Sequence, residues 1–277
     1  MVIDIPHNKT SRVVVIGGGF GGIQLAKTLR NKDVQVVIVD KNNYHTFQPL
    51  LYQVATSVLE SESIAYPIRK VFKNAKNVFF RLGEVTKIDP EVNKIYLGND
   101  ELSYDHLVLA TGAKTNFFGN DGLIVNAMPM KSIIEALDLR SMILHNFEKA
   151  LRNSNERKRK GMMNFVIAGA GPTGVELAGA MGELKLHVLP HDYPELNFNQ
   201  MNIYLVQSGG RVLPMLSEKS SDRAQKYLER LGVEVVLNTR VLDVSGDYVQ
   251  TSTEEDIIAK TLIWTAGVTG NPVEGLG

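Results

Sequence analysis

The chain has 277 residues, of which 44% are hydrophobic and 22% charged, and thirty basic residues balance thirty acidic ones. This composition is typical of a globular protein with room for two domains, and the balanced charge offers no field that would attract nucleic acid or an anionic membrane. The chain has no cysteine, which excludes disulfides, thiolate metal sites and a redox-active dithiol. No apolar run approaches the roughly 18 residues of a membrane span and the N-terminus does not resemble a signal peptide, so we expect a cytoplasmic location.

The first clear feature is an apolar strand that runs into a glycine-rich turn. Val13–Ile16 is the predicted strand, and a helical pattern follows the turn. The turn carries glycines in the G-x-G-x-x-G spacing, at Gly17, Gly19 and Gly22. The next predicted strand, Val34–Val39, ends in Asp40, which lies 18 residues beyond Gly22. Glycines suit a pyrophosphate and the distal carboxylate suits a ribose, so this stretch predicts a dinucleotide site.

The next part of the chain has weaker patterns. Residues 41–57, KNNYHTFQPLLYQVATS, are rich in aromatic and amide side chains. They fit a packed surface loop or, alternatively, a wall around a flat ring system. Residues 58–72 have a helical pattern apart from Pro67. Further strands are predicted at Val78–Leu82, Val85–Ile88, Lys94–Leu97 and Tyr104–Ala110, the last of which runs into Thr111 and Gly112.

The middle of the chain predicts a connection between two units. Residues 117–130 are rich in glycine and asparagine and are predicted as a linker, whereas Ser132–Leu151 has the apolar spacing of a helix. The charged run ERKRK, residues 156–160, is more typical of solvated surface than of a nucleic-acid patch.

From Asn164 the same plan starts again. Residues 165–179, FVIAGAGPTGVELAG, predict a strand, a glycine turn and a helix that would seat a second pyrophosphate at the helix N-terminus. In this turn Gly169 would permit the bend, Gly171 the close approach of phosphate, and Gly174 the packing of the helix. Later strands are predicted at residues 202–206, 234–238, 241–244 and 260–265, the last running into Ala266 and Gly267. Gly17 to Gly112 spans 95 residues and Gly169 to Gly267 spans 98, which indicates an internal repeat.

The two units differ at the end of their second strand, where Asp40 stands in the first and Gln207 in the second. A carboxylate favours a free ribose 2′-hydroxyl and repels a 2′-phosphate, whereas a neutral amide does neither strongly. We therefore expect the second site to prefer NADH only weakly and to accept NADPH, with Arg211 placed to meet the phosphate. The alternative is that Gln207 simply bonds the ribose.

Two further groups of residues invite a functional interpretation. His187 and His191 have the spacing of helical metal ligands, but Pro190 lies between them and no carboxylate completes a motif, so a structural loop and no metal are predicted. Glu176 follows the last glycine of the second turn by two residues. Its carboxylate is either stabilised by the helix dipole or lies where two cofactors meet.

Several segments together give the chain a family resemblance. The first glycine loop, NYHTFQPLLYQVAT, LATGA, AGPTGVELAGA, LPHDYPEL and WTAGV together resemble the bacterial type II NADH dehydrogenases, the non-electrogenic NADH:quinone oxidoreductases. The similarity extends over nearly all of Val13–Pro272. It implies an α/β fold with two Rossmann-like dinucleotide-binding domains of the FAD/NAD(P) flavoprotein reductase type.

The resemblance also assigns the domains and the cofactors. It implies an FAD domain at residues 1–116, a linker and connecting helix at 117–163, an NAD(P)H domain at 164–268, and at 269–277 the start of a return to the FAD domain. Hydride would pass from NADH to FAD, and electrons then to a membrane quinone. The implied FAD residues are Gly17, Gly19, Gly22, Asp40, Thr46, Gln48, Pro49, Val85, Thr111 and Gly112. The implied NADH residues are Gly169, Gly171, Thr173, Gly174, Gln207, Ala266 and Gly267, with Glu176 as the residue at the contact between nicotinamide and flavin.

The chain departs from this family in two ways. Family members commonly have Glu at the position of Gln207. They also continue beyond the equivalent of Gly277 with a Gly-Asp pair for the flavin ribitol, the quinone site and an amphipathic membrane anchor. We therefore expect this polypeptide to hold FAD weakly, to reduce quinone poorly, and to meet the inner face of the cell membrane only through that further part. Whether it forms a homodimer is left open.

Two other functions remain open from the residues. A soluble NAD(P)H-dependent flavoprotein reductase with a ferredoxin- or rubredoxin-like acceptor would need the same two glycine units. An inactive nucleotide-binding fragment or redox sensor is the alternative from a different class. A dithiol reductase is disfavoured by the lack of cysteine.

Overall fold

The structure, a computed structural model, describes residues 1–6, 9–253 and 255–275. The chain divides into two compact units. Unit 1 comprises Met1–Phe47, Glu62–Lys114 and Thr269–Gly277, and unit 2 comprises Gln48–Ser61 and Thr115–Val268. Of the expected return segment 269–277, the last two residues lie outside the described residues.

Strands supply most of the regular structure. In chain order they are β1 Arg12–Ile16, β2 Gln35–Asp40, β3 Tyr44–Thr46, β4 Ala65–Pro67, β5 Val78–Leu82, β6 Lys87–Asp89, β7 Lys94–Leu97, β8 Asp100–Ser103, β9 His106–Leu109, β10 Ala113–Thr115, β11 Ala127–Pro129, β12 Phe165–Ala168, β13 Ile203–Val206, β14 Val233–Val236, β15 Val241–Ser245, β16 Tyr248–Thr251, β17 Ile257–Ile258, β18 Thr261–Trp264 and β19 Val268–Gly270.

Helices connect the strands and cover their sheets. They are α1 Phe20–Leu29, α2 Leu51–Ala55, α3 Ile68–Val71, α4 Asp121–Asn126, α5 Ile133–Leu151, α6 Glu156–Met163, α7 Pro172–His187, α8 Leu189–Asp192 and α9 Glu218–Arg230. Short 3₁₀ turns lie at Gln48–Leu50, Ser61–Ser63 and Phe198–Gln200. Throughout the described residues, each helix is too short or too polar to cross a bilayer.

Unit 1 is built on a parallel sheet with the strand order β5-β2-β1-β9. One face packs against α1 and α3 through alternate residues such as Val13, Val15 and Ile38. The intervening residues, such as Val14 and Val37, face a cluster shared with the antiparallel sheet β6-β7-β8. Because both faces are covered, the interiors of β1 and β2, residues 13–16 and 36–39, are apolar without alternation, as the sequence predicts.

Unit 2 repeats this plan. Its parallel sheet has the order β11-β18-β12-β13-β14, and the antiparallel sheet β15-β16-β17 shares a buried cluster with one face of it. Helices cover the other face, where Phe147 of α5 makes an edge contact with Phe165 of β12 at a centroid distance of 5.9 Å. In each parallel sheet the first strand has the next strand of that sheet on one side and a later strand on the other: β1 lies between β2 and β9, and β12 between β13 and β18. The carboxyl end of such a strand is the position at which these sheets bind ligands.

The predicted fold class is confirmed: the chain has two Rossmann-like α/β units. The helix at Ser132 is also confirmed, with Ser132 as its N-cap and a complete capping box with Glu135. We did not predict strand β8 or helix α9 from the sequence, and the structure contains both. Helix α9 has a strongly amphipathic pattern that begins at the N-cap Ser217.

Three predicted stretches differ from the structure. Residues 41–57 contain β3 and α2 rather than a surface loop, because Leu51, Val54 and Ala55 are buried where α2 packs against α5 and α7. Residues 58–72 are not helical before Pro67, because β4 pairs with β3, and only α3 follows. The expected linker 117–130 instead contains α4 and β11, and β11 extends the sheet beside β18.

Candidate functional site

The first glycine turn is shaped by contacts that only glycine permits. Gly17 has a φ of +111°, and a Cβ there would lie 2.1 Å from the carbonyl oxygen of Ala110. A Cβ on Gly22 would lie 1.9 Å from the carbonyl oxygen of Gly17. The strand end, the turn and the first turn of α1 are therefore packed backbone to backbone.

Gly19 stands in a different environment from these two glycines. It is the N-cap of α1, and a Cβ built on it would meet nothing within 4 Å. No side chain caps the helix here, so the first amide groups of α1 have no side-chain acceptor at this cap. An unblocked helix N-terminus reached through glycine is the geometry that a pyrophosphate requires.

The Gly18 peptide groups are held from two sides. The Gly18 N–H donates to Asp40 Oδ2 at 2.5 Å, and Nδ1 of His45 lies 3.0 Å from the Gly18 carbonyl oxygen. The other oxygen of Asp40 accepts from the N–H of Asn42 at 2.7 Å. Asp40, predicted to bind a ribose, thus also fixes the turn itself.

The other predicted residues of unit 1 differ from one another in burial and in backbone contacts. Thr46 ends β3 and Thr111 follows β9, and both are half-buried. Gly112 has a φ of +71° and its carbonyl accepts from the N–H of Asn271 at 3.2 Å. Val85, expected near an adenine, has its side chain in the buried cluster between the two sheets, so only its backbone is available to a ligand.

The second glycine turn repeats the geometry of the first. Gly169 has a φ of +100°, and a Cβ there would lie 2.5 Å from Cα of Ala266. A Cβ on Gly174 would lie 1.9 Å from the carbonyl oxygen of Gly169. Gly171 is the N-cap of α7, has nothing within 4 Å of its Cβ position, and is not capped by a side chain. Gly174 thus packs α7 against the turn rather than against the strand.

The Ala170 peptide groups are held from two sides as well. The Ala170 N–H donates to Oε1 of Gln207 at 2.9 Å, and the Ala170 carbonyl accepts from the Leu213 N–H at 2.8 Å. Gln207 therefore stands where Asp40 stands in unit 1, with its amide nitrogen left for other partners. Thr265 Oγ1 adds a bond of 2.9 Å to the carbonyl of Gly169.

Arg211, expected to meet a 2′-phosphate, is already engaged. Its Nη2 donates to the Pro214 carbonyl at 2.7 Å, and its Nη1 lies 3.9 Å from Oε1 of Glu218 at the start of α9. Both partners lie on the surface, where such an ion pair is weak. The guanidinium is thus held near the second turn by contacts that a phosphate could replace.

Glu176 is the fifth residue of α7, beyond its first turn. The residue as a whole is exposed, but partial desolvation of its carboxyl raises the pKa above the ordinary value, and no hydrogen bond or ion pair joins it to another described residue. The dipole explanation is therefore weakened, because the dipole acts mainly within the first turn and would lower the pKa. A partly desolvated carboxylate without a partner is instead suited to meeting a ligand.

The remaining predicted residues of unit 2 are mostly at its surface. Thr173 and Ala266 are exposed, and so are Gln48 and Pro49, which belong to this unit by their packing. Nζ of Lys131 donates to Oε1 of Gln48 at 3.1 Å. Gly267 lies under the ring of Phe118, which would be 2.7 Å from a Cβ.

The two histidines considered as metal ligands do not form a site. The loop predicted around them is wrong, because His187 ends α7 and His191 lies in α8. Nε2 of His187 lies 3.4 Å from Oε2 of Glu183. Among the described residues no group of histidine and acidic side chains has the arrangement of a metal site.

Sequence reasoning missed three contacts that shape the turns: those of His45, Leu213 and Thr265. Leu213 acts through its backbone, so its identity carries no signal. His45 lies next to the predicted residue Thr46, and Thr265 lies next to the predicted residue Ala266. Which residue of each pair faces the glycine turn depends on the local register of β3 and on the end of β18, and the sequence does not show this.

Comparison with known proteins agrees with this geometry. Residues 11–275 match the family of pyridine nucleotide-disulphide oxidoreductases. The type II NADH:quinone oxidoreductase Ndh of Mycobacterium tuberculosis is 38% identical over 268 residues, which cover 94% of this chain and 58% of that protein. An external alternative NAD(P)H-ubiquinone oxidoreductase of Arabidopsis thaliana mitochondria is 31% identical over 95% of this chain and 48% of its own length.

A solved structure shows the same likeness. NDH2 from Plasmodium falciparum in complex with NADH superimposes with a TM-score of 0.89 and 26% identity, over 95% of this chain and 56% of that one. The similarity to type II NADH:quinone oxidoreductases is thus confirmed. The chain spans about half the length of the curated relatives it matches.

Proposed function

This chain belongs to the pyridine nucleotide-disulphide oxidoreductase family, and from this premise we propose that it acts in the transfer of electrons from NADH through FAD to a quinone. The observation that carries the proposal is the pair of uncapped helix N-termini, each reached through an unobstructed glycine, at Gly19 and Gly171. Two such sites fit two dinucleotides.

Unit 1 is proposed as the FAD unit. Gly17 and Gly22 form the turn, Gly19 leaves room for the pyrophosphate, and Asp40 fixes the turn beside the adenosine ribose. Thr46, Thr111 and Gly112 are proposed to line the flavin, and the backbone at Val85 to meet the adenine. When bound, FAD supplies the hydride acceptor.

Unit 2 is proposed as the NADH unit. Gly169 and Gly174 form its turn, and Gly171 and Thr173 receive the pyrophosphate. The free amide nitrogen of Gln207 is proposed to bond the ribose or its phosphate, with Arg211 nearby, so that NADPH is accepted beside NADH. Ala266 and Gly267 are proposed to pass near the nicotinamide.

Glu176 is proposed to position the nicotinamide. Its partly buried carboxyl has a raised pKa and no partner among the described residues, which supports a ligand contact. A Glu176→Gln variant tests this: we expect slower reduction of the flavin by NADH or a weaker affinity for NADH. If neither the rate of flavin reduction nor the affinity for NADH changed, Glu176 would have only a structural role.

The acceptor is proposed from the relatives. Both curated relatives named above are described as quinone or ubiquinone oxidoreductases, which ranks a quinone above a ferredoxin- or rubredoxin-like protein. We also propose that the enzyme works at the inner face of the cell membrane.

The decisive experiment is NADH oxidation by the purified chain supplied with FAD. A short-chain quinone serves as acceptor, ferricyanide as a control acceptor, and the flavin spectrum reports whether FAD is bound. Slow quinone reduction is the expected result, in keeping with the weak FAD binding expected above. Ferricyanide reduction alone would point to a different acceptor, and the absence of both activities in a chain that binds nucleotides would favour a silent binding module.

A further inference from the structure

The imidazole of His45 is bonded to the turn of unit 1. Its Nδ1 lies 3.0 Å from the carbonyl oxygen of Gly18. A carbonyl oxygen has only lone pairs to offer, so Nδ1 must carry the hydrogen. The contact therefore selects the tautomer with hydrogen on Nδ1, or the doubly protonated ring.

This bond sets the orientation of the peptide that follows. In a planar trans peptide the carbonyl and the next N–H point in opposite directions. With the Gly18 carbonyl turned towards His45, the Gly19 N–H is turned away from it. Gly19 is the N-cap of α1, where a Cβ would meet nothing within 4 Å, and its N–H donates to no described residue, so this amide is available to the proposed pyrophosphate.

Two contacts keep the imidazole in place. The ring of Phe20, the first residue of α1, meets it edge to face at a centroid distance of 5.0 Å. Its backbone is held by the pairing of β3 with β4, in which His45 stands opposite Tyr66. The donor is therefore positioned before any ligand arrives.

Unit 2 fills the equivalent position in another way. There the Ala170 carbonyl accepts from the backbone N–H of Leu213 at 2.8 Å, and Leu213 has a φ of 46°. Both units thus hold the carbonyl of the second residue of the turn. Of the two, unit 1 alone does so with a side chain, so the contribution of this hydrogen bond can be measured by substituting His45.

We propose that His45 is a positioning residue for FAD: by donating from Nδ1 to the Gly18 carbonyl, it directs the Gly19 amide towards the pyrophosphate. The proposal rests on the assignment of unit 1 to FAD. His45 acts through the turn and touches neither the flavin nor the transferred hydride.

The test compares two substitutions in the full chain. His45→Phe keeps a ring against Phe20 but removes the donor, whereas His45→Asn places an amide nitrogen at nearly the same branch point as Nδ1. We expect His45→Phe to raise the dissociation constant for FAD, measured by flavin fluorescence titration, about three- to tenfold, the effect of one hydrogen bond. His45→Asn should stay within about twofold of the wild type.

A matched control comes from the same unit. His106 on β9 is exposed, and its side chain makes no hydrogen bond to any described residue, so His106→Phe should leave FAD binding unchanged. Equal FAD affinity in His45→Phe and wild type would overturn the proposal. So would an equal loss in His45→Phe and His45→Asn, because ring packing rather than the donor would then be responsible.

A second measurement does not depend on FAD. Nitrogen NMR of the imidazole in the ligand-free chain should show hydrogen on Nδ1 of His45, and a tautomer with hydrogen on Nε2 alone would overturn the proposal. A wild-type chain that shows the Nδ1–H tautomer but binds no FAD would instead refute the assignment of unit 1, and the role of His45 with it.

Discussion

The amide N–H of Ala170 donates to Oε1 of Gln207 at 2.9 Å, which ties the second glycine turn to the end of β13. Oε1 is thereby committed to the protein, and the group that remains for a ligand is the donor Nε2. In unit 1 the N–H of Gly18 is bonded in the same way to the carboxylate of Asp40. In each unit the residue at the end of the second strand thus supports the turn, and its second polar atom is the one proposed to meet the ligand.

We expect Gln207→Glu to restrict the second site to NADH. One carboxylate oxygen would keep the bond to Ala170, and the other would replace a donor by a negative charge that repels a 2′-phosphate. The ratio of kcat/KM for NADH over NADPH should rise about tenfold to a hundredfold. Asn238→Asp, which adds a charge at an exposed residue whose backbone N–H bonds the carbonyl of Gly209, is the control and should change the ratio far less.

Gln207→Leu should destabilise the fold. It leaves the Ala170 N–H without an acceptor in the turn, which costs about 1 to 3 kcal/mol for a desolvated amide. Urea unfolding measures this loss. Gln207→Glu keeps an acceptor at this position and should lose less, so equal losses in the two variants would show that the bond contributes nothing.

The two kinds of glycine in the first turn should respond differently to alanine. Gly22→Ala places Cβ 1.9 Å from a backbone oxygen that cannot easily move, and we expect a loss of at least about 3 kcal/mol. Gly19 has φ −74° and ψ −166°, and a Cβ there would have open space around it. The free energy of unfolding of Gly19→Ala should therefore lie within about 0.5 kcal/mol of the wild-type value. It should nevertheless weaken FAD binding, because the methyl group occupies the open side.

Calorimetry and flavin titration together test this contrast. A Gly19→Ala chain that binds FAD as well as the wild type would show that the open side of the turn does not receive the ligand. Gly171→Ala and Gly174→Ala provide the same pair in unit 2, with NADH as the probe.

Glu176→Gln should raise the melting temperature at neutral pH. Partial burial raises the pKa of Glu176 in the folded chain, so the ionised form costs stability at any pH above that pKa. The cost disappears once the pH falls below the ordinary value of an unfolded glutamate, about 4.3, because the group is then protonated in both states. The difference in Tm between variant and wild type should therefore be positive at pH 7 and vanish near pH 4.

Glu195→Gln is the control, at an exposed glutamate of the same unit whose side chain makes no hydrogen bond or ion pair with a described residue. A gain in Tm at neutral pH of similar size in both variants would mean that the net charge of the chain, not the burial of Glu176, is responsible.

Short runs of apolar residues made part of the fold predictable. Strands β1, β5, β7 and β12 are largely buried or half-buried runs that pattern alone identifies, and Ser132 with Glu135 indicates the start of α5. Residues 41–72 were predicted poorly, because β3 and β4 are three-residue strands that are stabilised by pairing with each other. Elements that short carry no periodic signal of their own.

The sequence by itself determined the repeat, the two glycine turns and the family, because glycine spacing and strand length are local properties of a chain. The tertiary structure alone decided which atoms hold those turns. The contacts of Gly18 with Asp40 and His45, and of Ala170 with Gln207 and Leu213, join residues far apart along the chain. Their partners are selected by the register of neighbouring strands and by the bend of a backbone, and neither can be read from the order of the residues.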